Sequence, residues 1–417
     1  MEKSLQRRRF LGAVSGGLAV GVAGCVGGDD DSADDDAGDD DPADGGDDGT
    51  GGDGEGDESP DEGLAYAFGP DRIAIIDPAD GEVVDEITEG IDDASWGDPR
   101  ITTDLTQIFA IDDALNRVVV IDTAAREVIA EVGIGPGATH MYHPNDEEMW
   151  AHADDDGTFY VIDVDAHEVV ETVESGLEAE GHGKLLYHED LGTTGYATNV
   201  NDPGLPVIDL DAYERTDFVE FGDEGGTHYK AYGPQNGLAY AEFGDETVVV
   251  DVDADDVVDR LDFAGGMYLT PDEALLGVLD GDTIRFLDVT DEESEEVGSV
   301  DVEGGPDALR FHEEGGTTYG FTANTMNDDC AVIDLEDFGV VETLDVGAIE
   351  RPEDAPFLHR SGVAGDGYFL TPAEADGTVA VVDMAAHELI AHVEVEDGVD
   401  TVQFVGDSGV GYTGRIR

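Results

Sequence analysis

The sequence predicts an all-β fold, a β-propeller of about eight four-stranded blades, with seven blades as the alternative. Three observations support this prediction. A run of β-branched residues that ends in Asp recurs eight times after residue 64, and these Asp residues lie 37 to 49 positions apart. The apolar runs have the length of strands, and no segment shows a convincing helical period. A repeat of about 40 residues made only of short strands is typical of radially stacked four-stranded sheets.

Each repeat divides into four strands in the same way. An innermost strand leads through a turn to a second strand, the third strand ends in the repeated Asp, and a fourth strand follows. Pro, Gly and Asp fall in the turns, where their backbone preferences are needed. The repeated residues are Asp77, Asp122, Asp163, Asp209, Asp251, Asp288, Asp334 and Asp383.

The two ends of the repeat region predict how the propeller closes. Residues 64–68 form a second strand that lacks an innermost partner, whereas residues 401–405 form a late strand without a repeat of its own. The late strand can therefore complete the first blade, which joins the chain ends and leaves no free sheet edge. We predict the propeller domain at residues 63–417.

Residues 1–25 are predicted to be a twin-arginine signal peptide. Residues 7–11, Arg-Arg-Arg-Phe-Leu, fit the twin-arginine pattern, and the apolar stretch 11–22 is too short to cross a bilayer as a stable helix. Residues 22–25, Val-Ala-Gly-Cys, resemble a lipobox. This resemblance implies a lipid on Cys25 that anchors the exported protein to the outer face of the cytoplasmic membrane. A plain N-terminal membrane anchor is the alternative.

Composition separates an acidic tether from the folded domain. Residues 26–62 are mostly Asp, Gly, Glu, Ala and Ser, which predicts a disordered segment. The whole chain has 102 acidic and 18 basic residues, a formal net charge of -84. Such a surface suits a high-salt organism, because molar salt shortens the Debye length to about 3 Å. Nucleic-acid binding is not expected, since the phosphates would be repelled.

The cysteines and the missing motifs limit the chemistry. The chain has only Cys25 and Cys330, so a lipidated Cys25 leaves no intrachain disulfide and no Cys-rich zinc site. The sequence has no C-x-x-C-H haem attachment pattern and no Ser-centred nucleophile elbow. We therefore do not predict an enzyme.

The histidines are concentrated in consecutive repeats. His140, His182 and His228 each follow glycines at the start of an innermost strand, and these starts ring one mouth of a propeller channel. The ends of neighbouring second strands reach the same face and carry His152 and Glu242. Imidazole with a carboxylate suits a divalent transition metal, zinc above all. These five residues are the predicted metal ligands; the alternative is that they only bind water and neighbouring loops.

Other polar residues have separate interpretations. His167 and His387 occupy equivalent turns and are predicted to be solvated. Lys184 and Lys230 each lie two residues after a clustered His, a spacing that places both side chains on one face of a strand. With Arg100 and Arg310 on comparable strands, they predict a locally cationic channel. Such a channel suits an anionic ligand, or adjusts the charge around a metal–carboxylate site.

Two resemblances follow from these segments. Residues 196–199, Tyr-Ala-Thr-Asn, followed by Val207-Ile208-Asp209, resemble the YVTN family of propeller repeats. The exported propeller with residues 139–143, 150–152 and 181–183 resembles the extracytoplasmic zinc metallochaperones of the AztD type. That resemblance implies a bound zinc ion and its transfer to the solute-binding protein of an ABC metal importer. The chain departs from it by having no His-rich flexible segment.

Two other functions remain open on the sequence alone. A cell-surface interaction scaffold needs only the fold, because a propeller says little about function. A propeller enzyme, such as a lactonase or a metal- or quinone-dependent oxidoreductase, would use a metal with an open coordination position.

Overall fold

The computed structural model describes residues 62–177, 180–352 and 358–406, and the backbone of residues 410–411 and 414–415. These residues form eight four-stranded antiparallel sheets arranged as a β-propeller, which confirms the predicted fold class and the count of eight blades. The predicted signal peptide, the lipidated Cys25 and the tether up to residue 61 lie outside the described residues.

The blades are numbered in chain order, and each is given from its first strand in the sequence. Blade 1 contains β1 (Ala65–Phe68), β2 (Ile73–Asp77), β3 (Glu82–Ile87) and, from the C-terminal end, β32 (Thr401–Phe404). Blade 2 contains β4 (Trp96–Ile101), β5 (Gln107–Asp112), β6 (Arg117–Asp122) and β7 (Glu127–Gly133). Blade 3 contains β8 (Ala138–Asn145), β9 (Glu148–Ala153), β10 (Thr158–Asp163) and β11 (Glu168–Glu174). Blade 4 contains β12 (Leu185–Leu186), β13 (Thr194–Ala197), β14 (Gly204–Asp209) and β15 (Glu214–Glu220).

The second half repeats this order. Blade 5 contains β16 (Thr227–Gly233), β17 (Leu238–Phe243), β18 (Glu246–Asp251) and β19 (Asp256–Leu261). Blade 6 contains β20 (Gly266–Leu269), β21 (Leu275–Asp280), β22 (Thr283–Asp288) and β23 (Glu296–Asp301). Blade 7 contains β24 (Pro306–Glu314), β25 (Thr317–Asn324), β26 (Asp329–Asp334) and β27 (Gly339–Asp345). Blade 8 contains β28 (Val363–Gly365), β29 (Tyr368–Ala373), β30 (Thr378–Asp383) and β31 (Glu388–Glu394).

The remaining regular structure is short. The strands β33 (Val410–Gly411) and β34 (Gly414–Arg415) pair with each other. The helices in the described residues are two single 3₁₀ turns, Asp113–Leu115 and Glu189–Leu191. No helix in this part of the chain has the length and apolar character needed to span a lipid bilayer.

The chain ends meet in blade 1, as the sequence predicts. β32 pairs with β1 in antiparallel register, with Phe404 opposite Ala65 and Thr401 opposite Phe68. The sheet order is therefore β3-β2-β1-β32, and the C-terminal strand supplies the innermost position. This pairing closes the ring and leaves β1 without a free edge.

The hydrophobic core lies between the blades. Among the described residues, eight clusters of buried apolar side chains each draw on two neighbouring blades. Phe68 and Ile75 of blade 1, for example, pack with Ile108 of blade 2. A sheet that is covered on both faces needs apolar residues on both sides of its strands. This requirement explains the unbroken β-branched runs of the repeat.

The repeated Asp shapes the turn between the third and fourth strands. In blade 2, Asp122 Oδ1 accepts hydrogen bonds from the backbone of Ala124 at 2.9 Å and Ala125 at 2.8 Å. In every blade except blade 6, the fourth residue after the Asp adopts a left-handed conformation, with φ of 55° at Arg126 and 53° at His167. The backbone N–H of Arg126 then donates to the Asp122 carbonyl at 2.9 Å, which closes the turn. Local Asp side-chain bonds of this kind are a general reason for Asp in turns.

The side chain at this left-handed position reaches the preceding blade. His167 Nε2 lies 2.7 Å from Gln107 Oε1 of blade 2, and the ring of His387 packs edge-on against Tyr319 of blade 7 with 4.4 Å between ring centroids. The prediction that His167 and His387 are solvated is therefore wrong for their side chains. Both residues lie in the predicted turns, but the turn directs the ring toward the neighbouring sheet.

Candidate metal centre

Three histidines from consecutive blades meet at one mouth of the channel. His140 lies on β8, His182 just before β12, and His228 on β16. The pairing of β8 with β9 shifts between Ala138 and His140, and that of β16 with β17 shifts across His228. A bulge re-aims side chains at the end of a strand. The repeat therefore positions three imidazoles, and local irregularities at the strand starts turn them toward one point.

Two glycines allow His182 to approach its neighbours. A Cβ atom on Gly183 would lie 2.3 Å from the Thr198 carbonyl oxygen, and one on Gly181, at φ 153°, would lie 2.0 Å from Asn199 Oδ1. A side chain at Gly183 would clash with the backbone just after the second strand, and one at Gly181 would meet the Asn199 side chain and strain the backbone. The Gly-His-Gly segment thus keeps the backbone close to β13 (Thr194–Ala197), while the His182 ring faces the channel.

The donor atoms of the three rings converge. His182 Nε2 lies 3.1 Å from His140 Nε2 and 3.0 Å from His228 Nε2, and all three donor atoms lie within 4.8 Å of one another. The three side chains are between 13% and 31% exposed, so each ring is mostly buried but still in contact with solvent. An ion bound here would be partly shielded and still accessible.

A carboxylate lies on the Nδ1 side of each of the three rings. His140 Nδ1 lies 2.9 Å from Asp98 Oδ2, His182 Nδ1 lies 2.6 Å from Asp154 Oδ2, and His228 Nδ1 lies 3.5 Å from Glu242 Oε2. An ionised carboxylate accepts a hydrogen from Nδ1, which leaves the lone pair on Nε2.

This pattern fits a metal ion. Metal-binding histidines generally donate their other N–H to a carboxylate or carbonyl, which sets the tautomer and the ring orientation. With the ring hydrogens on Nδ1, the Nε2 lone pair of His182 faces those of His140 and His228 at 3.1 and 3.0 Å and is repelled by them, and a cation between the rings removes this repulsion. Zinc at about 2.0–2.1 Å from each nitrogen would separate tetrahedral ligands by about 3.3–3.4 Å, close to the two distances that His182 Nε2 makes to its neighbours.

The surroundings favour the neutral form of His140 and His228. Burial, and then the nearby Lys184 ammonium, lowers the pKa of His140 well below its usual value. Burial lowers the pKa of His228 to about 4, although Glu242 acts in the opposite direction. Burial alone would raise the pKa of Asp98, but the attraction of His140 and of nearby cations outweighs it and holds the pKa well below its usual value. Neutral imidazole and ionised carboxylate are the forms that a metal site needs.

Of the five predicted ligands, the structure brings together His140, His182 and His228. His152 and Glu242 lie outside this cluster, each near the Nδ1 side of one of its histidines or its carboxylate partner. His152 is fully buried, and both of its ring nitrogens are engaged, Nδ1 by Asp154 Oδ1 at 2.8 Å and Nε2 by Ser175 Oγ at 2.8 Å. It therefore supports Asp154 and does not face the three-histidine cluster. Glu242 contacts His228 from the Nδ1 side and accepts a hydrogen bond from the Tyr229 backbone at 3.1 Å.

The predicted cationic residues also line this channel. Lys184 Nζ lies 2.7 Å from His140 Nε2 and 5.7 Å from the centre of the Tyr229 ring. Lys230 is 1% exposed, and its Nζ lies 5.4 Å from the centre of the Tyr142 ring. Burial, and then the positive charges of Lys184 and Arg100, lowers the pKa of Lys230 well below its usual value. The basic side chains of Lys184, Lys230 and Arg100 therefore lie within electrostatic range of one another.

Sequence reasoning misses two residues of the centre, Asp98 and Asp154. Asp98 occupies the start of the innermost strand of blade 2, the position that His140 takes in blade 3, so an alignment of the strand starts would identify it. Asp154 directly follows β9, where nothing distinguishes it from the many other aspartates of this acidic chain. Only its contacts with two histidines reveal its role.

Comparisons with known proteins identify similar folds. No family model and no curated protein matches the sequence. Among solved structures, the dihydro-heme d1 dehydrogenase NirN, in complex with DHE, has a TM-score of 0.66 at 14% identity over 83% of this chain and 76% of that chain. Apo AztD from Citrobacter koseri has a TM-score of 0.58 at 11% identity over 81% of this chain and 96% of that chain. The computationally designed Ika8 protein has a TM-score of 0.56 at 13% identity over 77% of this chain and 95% of that chain.

At these identities the likeness concerns the propeller fold alone. An AztD structure is among the proteins that share this fold, in line with the resemblance noted in the sequence. The three-histidine cluster is an observation on this chain itself, and it could hold a metal ion.

Proposed function

We propose that this protein is an extracytoplasmic metal-binding propeller that holds a divalent transition metal, zinc in the first place, for delivery or storage. The ligands are His140, His182 and His228. The observation that carries the proposal is the convergence of three Nε2 atoms, each on a ring with a carboxylate on its Nδ1 side. Neutral imidazole suits zinc, copper and nickel, and zinc accepts the tetrahedral geometry that three ligands and one further donor provide.

Accessibility of the site supports delivery rather than permanent structural use. The ligands lie on the innermost strands at a channel mouth, whereas the core of the fold lies between the blades. The propeller therefore does not need the ion for its own core, and ligand exchange at the mouth can proceed without unfolding. The role proposed here, transfer to the solute-binding protein of an ABC metal importer, is the one that the AztD-type resemblance implies.

The location proposed for the protein follows from its N-terminal sequence. The twin-arginine pattern, the lipobox and the lipid on Cys25 would hold the propeller at the outer face of the cytoplasmic membrane, at the end of the acidic tether. Export by the twin-arginine route implies folding before translocation. A Cys25→Ser variant is expected to appear in the medium instead of the membrane fraction.

Zinc binding by the full chain tests the function. After chelator treatment in molar salt, the affinity is measured by competition with a chromophoric chelator. We expect binding tighter than micromolar that is lost in the double variant His182→Ala, His228→Ala. The exposed His392, on the outer strand of blade 8, supplies the matched control His392→Ala, which should bind like the parent. Binding weaker than micromolar, or equal affinity in all three proteins, would refute the proposal.

A second candidate function follows from the same geometry. Three histidines with one position open also describe catalytic zinc sites, in which the metal activates a bound water. Metal-dependent turnover of lactones or phosphoesters that is lost in the same double variant would favour a propeller enzyme over a carrier.

A further inference from the structure

The charges around the three-histidine cluster are segregated. The carboxylates of Asp98, Asp154 and Glu242 all lie on the Nδ1 side of the rings, away from the point where the Nε2 atoms meet. On the Nε2 side lies a cation, because Lys184 Nζ is 2.7 Å from His140 Nε2. Arg100 adds positive charge close to Lys184, and the buried Lys230 lies within electrostatic range of both.

A metal ion alone meets a competing cation in this arrangement. An ion bound about 2.0–2.1 Å from His140 Nε2 has an ammonium as its near neighbour. The two like charges repel at short range in a partly buried site. The ammonium must leave the Nε2 lone pair, yet its chain position two residues after His182 keeps it beside the centre.

Among the described residues, no fourth His, Cys, Asp or Glu completes the ligand group. An anion at the fourth coordination position would neutralise part of the metal charge and at the same time accept a hydrogen bond from the displaced ammonium. A carboxylate suits both tasks, because one oxygen can bind the metal and the other can accept from Lys184.

We propose that the metal binds this centre together with a small carboxylate, which occupies the fourth coordination position and is held by Lys184. The proposal rests on the metal-binding function proposed above and names its second ligand. It makes the cargo a metal–carboxylate pair, and it gives a purpose to Lys184 in a lysine-poor chain. Removal of the carboxylate would return the ammonium to His140 Nε2 and weaken the hold on the metal.

Formate is the probe that tests this inference. Zinc affinity is measured by chelator competition in molar sodium sulfate, with and without millimolar formate, for the parent chain and for Lys184→Met. In the parent, formate is expected to tighten binding by about tenfold, equivalent to about 1.4 kcal/mol. Lys184→Met should bind zinc more tightly than the parent without formate, because the competing cation is gone, and should lose most of the formate effect.

Two further variants keep the test decisive. Lys184→Arg retains a positive hydrogen-bond donor and should retain the formate effect, which separates a folding defect from the loss of the ammonium. Arg260→Met removes a cation from the outer strand of blade 5, where Arg260 pairs with Glu246 at the surface, and should behave like the parent. With cobalt in place of zinc, formate should shift the visible absorption bands of the parent but not those of Lys184→Met.

The possible failures are distinguishable. Zinc binding that depends on the histidines but is unchanged by formate would overturn the carboxylate inference and leave the metal site standing. Absence of histidine-dependent binding under all conditions would instead overturn the proposed function. An equal formate effect in the parent and in Lys184→Met would also refute the role of Lys184.

Discussion

At the scale of single residues, Asp154 holds the metal centre together. Its two carboxylate oxygens bind two different histidines, His152 through Oδ1 and His182 through Oδ2, and Thr139 Oγ1 donates to it at 3.2 Å. Burial alone would raise the pKa of Asp154, but the interactions with the His152 and His182 imidazoles outweigh it and hold the pKa well below its usual value. The ionised side chain of Asp154 therefore orients the ligand His182 and also fixes the position of His152.

Asp154→Asn is predicted to weaken zinc binding by about 10- to 100-fold, the range typical for the partner of a metal-bound His. The amide can donate to His182 Nδ1, which would move the ring hydrogen to Nε2 and block the metal-binding lone pair. Chelator competition measures the change. Asp156→Asn is the control, since Asp156 accepts a hydrogen bond from Tyr160 outside the centre. Unchanged affinity in Asp154→Asn would contradict the assigned role.

A second carboxyl, Asp400, makes the stability depend on pH. Its Oδ1 is buried and has no hydrogen-bond partner among the described residues. Burial, and then the nearby Glu374, raises the pKa of Asp400 to about 7. In the unfolded chain an Asp has a pKa of about 3.9. Between about pH 4 and pH 7 the folded state thus binds more protons than the unfolded state, so stability falls as the pH rises through this window.

Asp400→Asn removes this titration. The variant is expected to match the parent near pH 5 and to exceed its free energy of unfolding by about 1–3 kcal/mol near pH 8. Denaturant unfolding at constant molar salt across this pH range measures the difference. The exposed neighbour Asp397 provides the control Asp397→Asn, for which no such gain is expected. Parallel profiles for the parent and Asp400→Asn would show that Asp400 is charged in the folded state at neutral pH.

The residue scale also shows where sequence reasoning succeeds and where it stops. His140, His182 and His228 could be predicted because they occur at one position of consecutive repeats and the propeller brings equivalent positions together. His152 was predicted to be a ligand on the same logic, but side-chain direction at a strand end depends on local pairing, which the pattern does not contain. Asp98 and Asp154 are hidden because an acidic chain gives an individual aspartate no statistical weight.

At the scale of elements, the turn after the third strand connects the blades. The left-handed residue four positions after the repeated Asp sends its side chain to the preceding blade, as Phe338 of blade 7 does with Phe286 of blade 6 at 5.3 Å between ring centroids. The repeated Asp could be predicted as a turn residue from the sequence. The contact between blades could not, because it depends on the angle between two sheets and not on either sheet alone.

Replacing this left-handed residue by Gly separates backbone strain from the contact. A non-Gly residue in this conformation costs roughly 1–2 kcal/mol, which Gly removes. Arg126 is half-buried and pairs with Asp85 at the surface, an interaction that contributes little, so Arg126→Gly is expected to be neutral or slightly stabilising. Phe338→Gly should destabilise the protein by about 2 kcal/mol, because the lost aromatic burial exceeds the relieved strain. Denaturant midpoints compare the two, and a stabilised Phe338→Gly would contradict the proposed packing role.

At the scale of the whole molecule, the propeller is a ring whose stability depends on one closing strand. Every other blade is built from consecutive strands, whereas blade 1 takes its innermost strand, β32, from the far end of the chain. Val399, Val402 and Phe404 are buried there against apolar residues of blade 8. The closing strand therefore completes a sheet and at the same time fills the space between the first and last blades.

Truncation tests this closure directly. A chain that ends at Asp400 lacks β32, so it exposes the edge of β1 and loses the burial of Phe404, which alone is worth about 3–5 kcal/mol. We expect a much lower thermal midpoint and aggregation through the open edge. Zinc binding should also weaken, because an open ring no longer fixes the relative positions of blades 3, 4 and 5, which carry the three histidines. A chain that ends at Gly406 keeps β32 and should resemble the parent in all three measurements. Equal midpoints for the two truncated chains would mean that the apolar seams between the blades hold the ring without the closing strand.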